Sequence, residues 1–339
     1  MNTIVGLDIG SHSIKLIELV REGDQAAITA AGSMPTPAKA VTSTLPADLQ
    51  SIAVSLKQLF KDTGTKSRTV NIALPESKVF TRVIEVPQLS PRELTSAIKW
   101  EAEQYIPLPL DQVNVDFTVL RDSKQTGNNK MEVLLVAAPK ALIDKYLSIM
   151  EMAEITVVGA ETEIIATSRA VARSIPNVKT VMIVSLGAQT SDIAILQGGI
   201  LMFTRSVSAG GEALSRAIAQ NLDFNLTQAE EYKRAYGLQK DKLEGKITTA
   251  TKPIMDSIIS EIKRALAFYQ EKYREEHIET VLLSGGTARL PGMVIYLAEA
   301  LGVEVQLVNP WVGIAKDARF NVLNPEGPNF CVAVGLALR

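Results

Sequence analysis

The sequence predicts a mixed α/β protein of two lobes. Strand-like and helix-like stretches are interspersed through both halves of its 339 residues, and a chain of that length can enclose more than one core. One pattern of strand, glycine turn, hydroxyl and strand also occurs twice. "IVGLDIGSHSIKLIEL" (4–19) returns 177 residues later as "VMIVSLGAQTSDIAIL" (181–196), setting Gly187 over Gly10, Thr190 over Ser13 and Leu196 over Leu19.

The first copy reads as a hairpin: an apolar strand ending at Asp8, a turn of glycine and hydroxyl residues, and an apolar strand carrying a lysine. "SMPTPAKAVTSTLP" (33–46) lacks periodicity and reads as an irregular connection. A helix from Pro46 to about Asp62 follows, then the strands "TVNIALP" (69–75) and "VFTRVIEVP" (79–87). The helix "SPRELTSAIKWEAEQYIP" (90–107) has Ser90 as N-cap, Pro91 at its first position and Glu93 to complete a capping box. At about 100° per residue, Leu94, Ile98, Ala102 and Tyr105 share the face expected to meet the core. Trp100 falls among Ser96, Lys99 and Glu103 on the polar face, where it either packs against a neighbouring strand or anchors a hydrophobic peptide.

"VNVDFTVLR" (113–121) and "KMEVLLVAAP" (130–139) flank the loop "DSKQTGNN", and a helix from Lys140 to about Ala153 closes the block. In the second half, residues 179–214 read as three strands joined by glycine turns. Helices then dominate to about His277, including an amphipathic pattern from Pro253. The strand "TVLLS" (280–284) runs into "GGTARLPGM", and the chain closes on the helix-like "FCVAVGLALR".

Composition excludes several classes of function. A net charge of −2 gives no global electrostatic reason to bind nucleic acid. One cysteine, Cys331, rules out a disulfide framework, and with two histidines it makes a zinc site a poor expectation. The longest apolar runs, such as "VLLVAAP" (133–139), fall far short of a membrane span, so the expected location is cytosolic or peripheral at a membrane. No "GxxxxGK[ST]" is present, the one Gly-Lys pair at 245–246 being followed by Ile247, and no "GxGxxG" opens a helix after a strand.

Two facing glycine turns can form a phosphate clamp, because turn N–H groups make an anion nest and glycine lets the backbone approach closely. An acid beside such a nest repels bare phosphate unless a Mg²⁺ ion, usually held through water, stands between them, which gives Asp8 a role. These turns, with "GGE" (210–212), "AEEYK" (229–233) and "LLSGGTARLPGM" (282–293), resemble in order and spacing the nucleotide signature of the actin and heat-shock ATPase superfamily. The resemblance implies ATP or ADP with Mg²⁺ in a cleft between lobes. It places Gly10, Ser11 and Ser13 on one side of the phosphates and Gly187, Ala188, Gln189 and Thr190 on the other. Gly211, Glu212, Glu230 and Lys233 then lie near ribose and base, and Gly285, Gly286 and Arg289 beside the adenosine. Read from helical spacing alone, Glu230 and Lys233 could equally be a surface ion pair.

"SAIKWEAEQYIPLPLDQVNVDFTVL" (96–120), with "GLDIGSHSIKLIEL", "TRVIEVP" and the terminal "VAVGLALR", resembles the PilM family of type IV pilus assembly over essentially the whole chain. The fold so implied is α/β: an actin-like two-lobed ATPase fold with an inserted small subdomain of the type found in the division protein FtsA. The expected units are residues 1–175 with the insert at about 70–154, residues 176–325 with a helical part at about 210–250, and residues 326–339 returning to the first lobe. The absence of an added amphipathic helix after Arg339 favours PilM over FtsA. The implied partner is the cytoplasmic N-terminal tail of PilN, with Trp100 as its anchor, and through it PilO and the inner-membrane platform; homo-oligomerisation stays open. One departure bears on mechanism: the second turn has Ser185 where the superfamily usually carries an aspartate. With Asp8, Asp192 and either Glu161 or Glu163 as the remaining acids, the expectation is slow hydrolysis or none. A small-molecule kinase and a filament-forming FtsA- or MreB-like protein are the competing readings.

Overall fold

The computed structural model describes residues 2–23, 25–38, 41–175, 178–273 and 277–339. Lys39 and Ala40 of the expected irregular connection, Pro176 at the expected lobe boundary and residues 274–276 of the expected helical run lie outside the described residues.

In chain order the elements are β1 (Asn2–Ile9), β2 (Ser13–Glu22), β3 (Gln25–Pro35), α1 (Pro46–Thr63), β4 (Thr69–Leu74), β5 (Phe80–Pro87), α2 (Pro91–Tyr105) and β6 (Val113–Arg121). Then come α3 (Ser123–Thr126), β7 (Lys130–Pro139), α4 (Lys140–Met152), β8 (Thr156–Thr162), α5 (Glu163–Ser174), β9 (Thr180–Leu186), β10 (Ser191–Gln197) and β11 (Ile200–Val207). The remainder are α6 (Gly211–Leu222), α7 (Leu226–Tyr236), α8 (Lys246–Lys272), β12 (Thr280–Ser284), α9 (Met293–Leu301), β13 (Glu304–Leu307), β14 (Ile314–Ala315) and α10 (Gly327–Ala337).

The strands form three sheets, ordered β14-β3-β2-β1-β4-β8, β11-β10-β9-β12-β13 and β5-β7-β6. The two larger sheets share one plan. In each, three consecutive strands pair antiparallel, and two later strands add in parallel beside the first. Parallel additions need crossovers, and helices supply them: α1 leads from β3 to β4, and α6 to α8 lead from β11 to β12. The repeat seen in two short stretches of sequence therefore extends over both sheets.

One core lies between the six-stranded sheet and α1 and α4, built on Leu7, Ile9, Leu56, Phe60 and Ile149. Another lies between the five-stranded sheet and α8, with Val184, Ile193, Ile262 and Tyr269. The closing helix α10 packs on β1 and α5, and its approach is so close that a Cβ at Gly335 would overlap the carbonyl oxygen of Ala166.

Three local expectations are corrected. Residues 33–35 belong to β3, an Ala-rich strand that buries Ala26, Ile28 and Ala30 on alternate positions. The segment "DSKQTGNN" contains one helical turn, α3, capped by Asp122. Helix α8 starts at Lys246 and runs through Pro253, because both Pro253 and Thr249, whose carbonyl loses its bond, lie on the exposed side.

Candidate functional site

The two glycine turns have the same construction. Gly10 N–H donates to Ser13 O at 3.1 Å, and Gly187 N–H donates to Thr190 O at 2.9 Å. They differ in where the acid sits. In the first ladder Asp8 faces Lys15; in the second Ser185 faces Asp192. Because paired residues project to the same face, the carboxylate missing at Ser185 is offered by the adjacent strand.

Asp8 is buried, with Oδ2 2.9 Å from Lys15 Nζ and Oδ1 without a hydrogen-bond partner. Three further acids share its surroundings. Glu163 opens α5, Glu76 lies in the short turn after β4, and Asp192 accepts from Ser206 Oγ at 2.6 Å and Thr190 Oγ1 at 3.2 Å. Glu76 N–H donates to Glu163 Oε2 at 3.4 Å. Burial raises the Glu163 carboxyl well above its ordinary value, and the charges of Asp8 and Asp192 add to this. Burial, followed by the charge of Asp192, brings Glu76 up to about 7. Burial raises Asp192 to about 6, against the opposing bonds from Ser206 and Thr190. The region is therefore short of positive charge, the condition a cation relieves. Among the described residues no three His, Cys, Asp or Glu side chains converge on a common metal position, and the free, buried Asp8 Oδ1 fits a metal-held water. Of the two alternatives, Glu163 opens α5 and lies near these acids, whereas Glu161 is not in that helix but at the end of β8, where it forms a two-pronged pair with Arg169 at 2.5 and 2.8 Å.

On the other side, the glycine pair before α6 meets the second turn. Gly211 N–H donates to Gly187 O at 3.0 Å and Glu212 N–H to Ala188 O at 2.8 Å, while Thr287 Oγ1 donates to Gly187 O at 2.8 Å. A Cβ on Gly211 would stand 2.5 Å from Thr287 Oγ1, so this contact requires glycine. Gly285 is held at φ +85°, where a Cβ would overlap the Leu186 carbonyl oxygen; Gly286 follows it. The Glu212 side chain is partly exposed, 3.7 Å from Arg216, and Arg289 pairs with Glu326 at 2.6 Å. Gln189 is exposed, while Gly10, Ser11, Ser13, Ala188 and Thr190 are half-buried around the two turns.

Glu230 and Lys233 do not form a surface pair. Lys233 is buried and donates to Gly211 O at 2.9 Å, Ser215 Oγ at 2.9 Å and Glu230 Oε2 at 2.6 Å. Burial would raise the Glu230 carboxyl, but bonds from Lys233 and Ser215 outweigh it and bring it down to about 2. The other Glu230 oxygen takes Arg234 Nε at 2.8 Å, and Arg234 Nη2 reaches His12 Nε2 at 2.9 Å. That last contact joins the two halves across 222 residues of sequence.

A second candidate surface lies on α2. Its capping box is formed, and Leu94, Ile98 and Ala102 are buried against the three-stranded sheet. Trp100 points away from that core and is 72% exposed. Beside it lies a shallow depression of about 340 Å³ lined by Thr95, Ser96, Lys99, Glu103 and Leu110.

A family model described as type IV pilus assembly protein PilM matches residues 6–339. The chain belongs to the PilM family. It is 29% identical to a solved chain of a "PilM-PilN type IV pilus biogenesis complex", with a TM-score of 0.86, covering 99% of this chain and 98% of that one. Cell division protein FtsA of Streptococcus pneumoniae serotype 2 (strain D39) is 25% identical over 360 residues, covering 94% of this chain and 78% of FtsA. MreB 5 of Spiroplasma citri bound to AMPPNP is similar in fold alone, with a TM-score of 0.52 and 13% identity over 100% of this chain and 96% of that one. The fold is thus that of the actin-like ATPases.

Within this PilM-family chain, sequence reading missed Glu76, the role of Lys15 as the counter-charge of Asp8, and the His12–Arg234 contact. Lys15 was legible in principle, since a two-stranded register from a short turn pairs it with Asp8. Glu76 carried no local signal, and Arg234 only its pairing with Glu230 one turn away, because the acids near Glu76 and the His12 that meets Arg234 arrive from distant segments.

Proposed function

We propose that this chain is an ATP-binding scaffold of the type IV pilus machinery, holding the cytoplasmic N-terminal tail of a PilN-type membrane protein. The observation that carries this reading is the match over 99% of the chain to the partner-bound PilM structure. Residues 1–175, with an insert at about 70–154, form one lobe in this reading and residues 176–325 the other, and the final helix returns to the first. PilO and the inner-membrane platform are reached through PilN, which makes the protein peripheral at the membrane. Among the described residues no helix is long and apolar enough to cross one.

In the cleft, turn N–H groups around Gly10–Ser13 and Gly187–Thr190 bind phosphate oxygens as an anion nest. Gly285 and Gly286 leave room for the flat adenosine, and the bonded set of Glu230, Lys233 and Ser215 fixes the wall beside Gly211. Asp8, through its free oxygen, would hold a water of the metal ion, with Asp192 and Glu163 close to it. When bound, Mg²⁺ neutralises phosphate charge. Ser185 supports a slow reaction: the acid opposite it, Asp192, already accepts from Ser206 and Thr190 and is less free to position metal or water.

The tail binds on the insert with Trp100 as its aromatic anchor, since buried aromatic anchors dominate peptide affinity. Titration of a synthetic PilN N-terminal peptide tests this. Trp100→Ala should weaken binding by about 2 kcal/mol with thermal stability unchanged. A peptide that binds both forms equally would remove Trp100 from the interface, and one that binds neither form would overturn the scaffold reading.

A further inference from the structure

The small sheet is covered on both faces, and its second cover belongs to the five-stranded sheet and its helices. Along β7, Met131, Val133 and Leu135 pack with α2, and the alternate residue Leu134 joins a core containing Val181, Ile183, Leu196 and Leu201 of β9 to β11. The period of two that gives each face its own residues also sets Glu132 on the second face, where it is buried. Its carboxylate is fully engaged there. Tyr273 Oη at the end of α8 donates to Oε1 at 2.7 Å, and Arg121 Nε of β6 donates to Oε2 at 2.6 Å.

Further contacts follow the same direction. Arg121 Nη1 reaches Gln197 Oε1 of β10 at 3.1 Å, Lys272 Nζ pairs with Glu85 of β5 at 2.9 Å, and Thr204 Oγ1 of β11 donates to Thr81 O at 3.3 Å. The chain links the small sheet to the six-stranded sheet through two connections, at Pro75 before β5 and Pro139 before α4, and beside them only Val79, Val136 and Ala138 of this region join that sheet's core. Among the described residues the small sheet shares no ladder with either large one. Breaking buried charge-assisted bonds singly is costly, whereas short connections can pivot about the few apolar contacts beside them.

We propose that the three-stranded sheet and α2 move as one body with the five-stranded sheet, joined at Glu132 and Tyr273, so that a nucleotide closing the cleft shifts the Trp100 face. This rests on the reading of the cleft as a nucleotide site. The pivots lie at Pro75 and Pro139, and the joint is the element whose position both ligands bias. By linkage, a peptide on α2 then changes nucleotide affinity by the same factor as nucleotide changes peptide affinity.

Amide hydrogen exchange of the full chain with and without millimolar Mg-AMPPNP tests the joint. Residues 187–190 and 210–214 should exchange more slowly with the nucleotide, and residues 91–105 and 130–139 should slow by about fivefold or more alongside them. In Tyr273→Phe/Lys272→Met, which keeps the tyrosine ring and the lysine stem, the response of 91–105 and 130–139 should fall below about twofold while the cleft response persists. Tyr273→Phe alone, the milder change, should give an intermediate response. Slowing confined to the cleft in the unaltered protein, or an undiminished response of the small sheet in the double variant, overturns the joint. If the cleft itself does not respond, the nucleotide reading fails and this inference falls with it.

Discussion

The two glycine turns share a backbone device and differ in how they balance their acids. In the first, Asp8 is offset by a buried ion pair with Lys15; in the second, Asp192 is held by two hydroxyls and receives no counter-charge from them. The first turn thus brings its own cation to the ligand-free protein. At the second, ionisation is costly until a cation arrives, and the Asp192 carboxyl is accordingly raised to about 6 by burial. Similar strand and turn geometry sets two electrostatic conditions at the two turns.

Removing the two kinds of support should separate them most sharply. Lys15→Met leaves Asp8 buried and unpaired, and should destabilise the protein by about 3–5 kcal/mol in urea unfolding. Ser206→Ala removes one hydroxyl bond to Asp192 and should cost about 1–2 kcal/mol. Equal losses would show that the turns are balanced alike.

Acidity offers a second contrast. Asp192 rises from an ordinary value of 3.8 to about 6 and Glu76 from 4.5 to about 7, so the folded state binds protons more tightly than the unfolded chain. Such groups contribute stability that is fully present below their unfolded values and lost as pH rises through their folded ones. The ligand-free protein should therefore gain stability as pH falls from about 7 to about 5, at no more than roughly 1.4 kcal/mol per unit for each group. Glu230, brought down to about 2, adds a small opposite slope only toward the acid end of that window, where its unfolded carboxyl begins to protonate. Asp192→Asn and Glu76→Gln should each flatten the profile, and a wild-type profile that rises with pH would contradict the assignment.

A smaller effect is expected at the proposed adenosine wall. Glu212→Ala should lower ATP affinity about tenfold, or 1.4 kcal/mol, while Trp100→Ala, remote from both turns, should leave it unchanged. A loss of ATP affinity in the Trp100 variant with no peptide present would mean that the side chain itself, and not a peptide bound on α2, acts on the nucleotide site.

Local chemistry made much of this readable in advance. The Ser90–Glu93 capping box, the core stripe of α2 and the repeated turn are encoded within a few residues of one another, and each forms as expected. The polar face on which Trp100 falls follows from the same helical spacing, but packing against a neighbouring strand was the expectation that its 72% exposure overturns. Strand β3 was hidden because alanines give little β signal, and the first turns of α8 because an exposed proline does not stop a helix. The acids were harder for a different reason: Glu76, Glu163 and Asp192 become one electrostatic group only when three separate segments fold together. Lys233 likewise looked like one half of a surface pair until Gly211 covered it.

Whether the paired turns hold a metal-bound nucleotide is tested most directly by calorimetric titration of ATP into the unaltered protein and into Asp8→Asn, each with Mg²⁺ and with EDTA. The unaltered protein should show one site per chain, with affinity that falls at least about tenfold when Mg²⁺ is removed and that Asp8→Asn lowers to the metal-free level. Binding that is indifferent to both the metal and Asp8, or no binding at all, would contradict a metal-bound nucleotide between these turns.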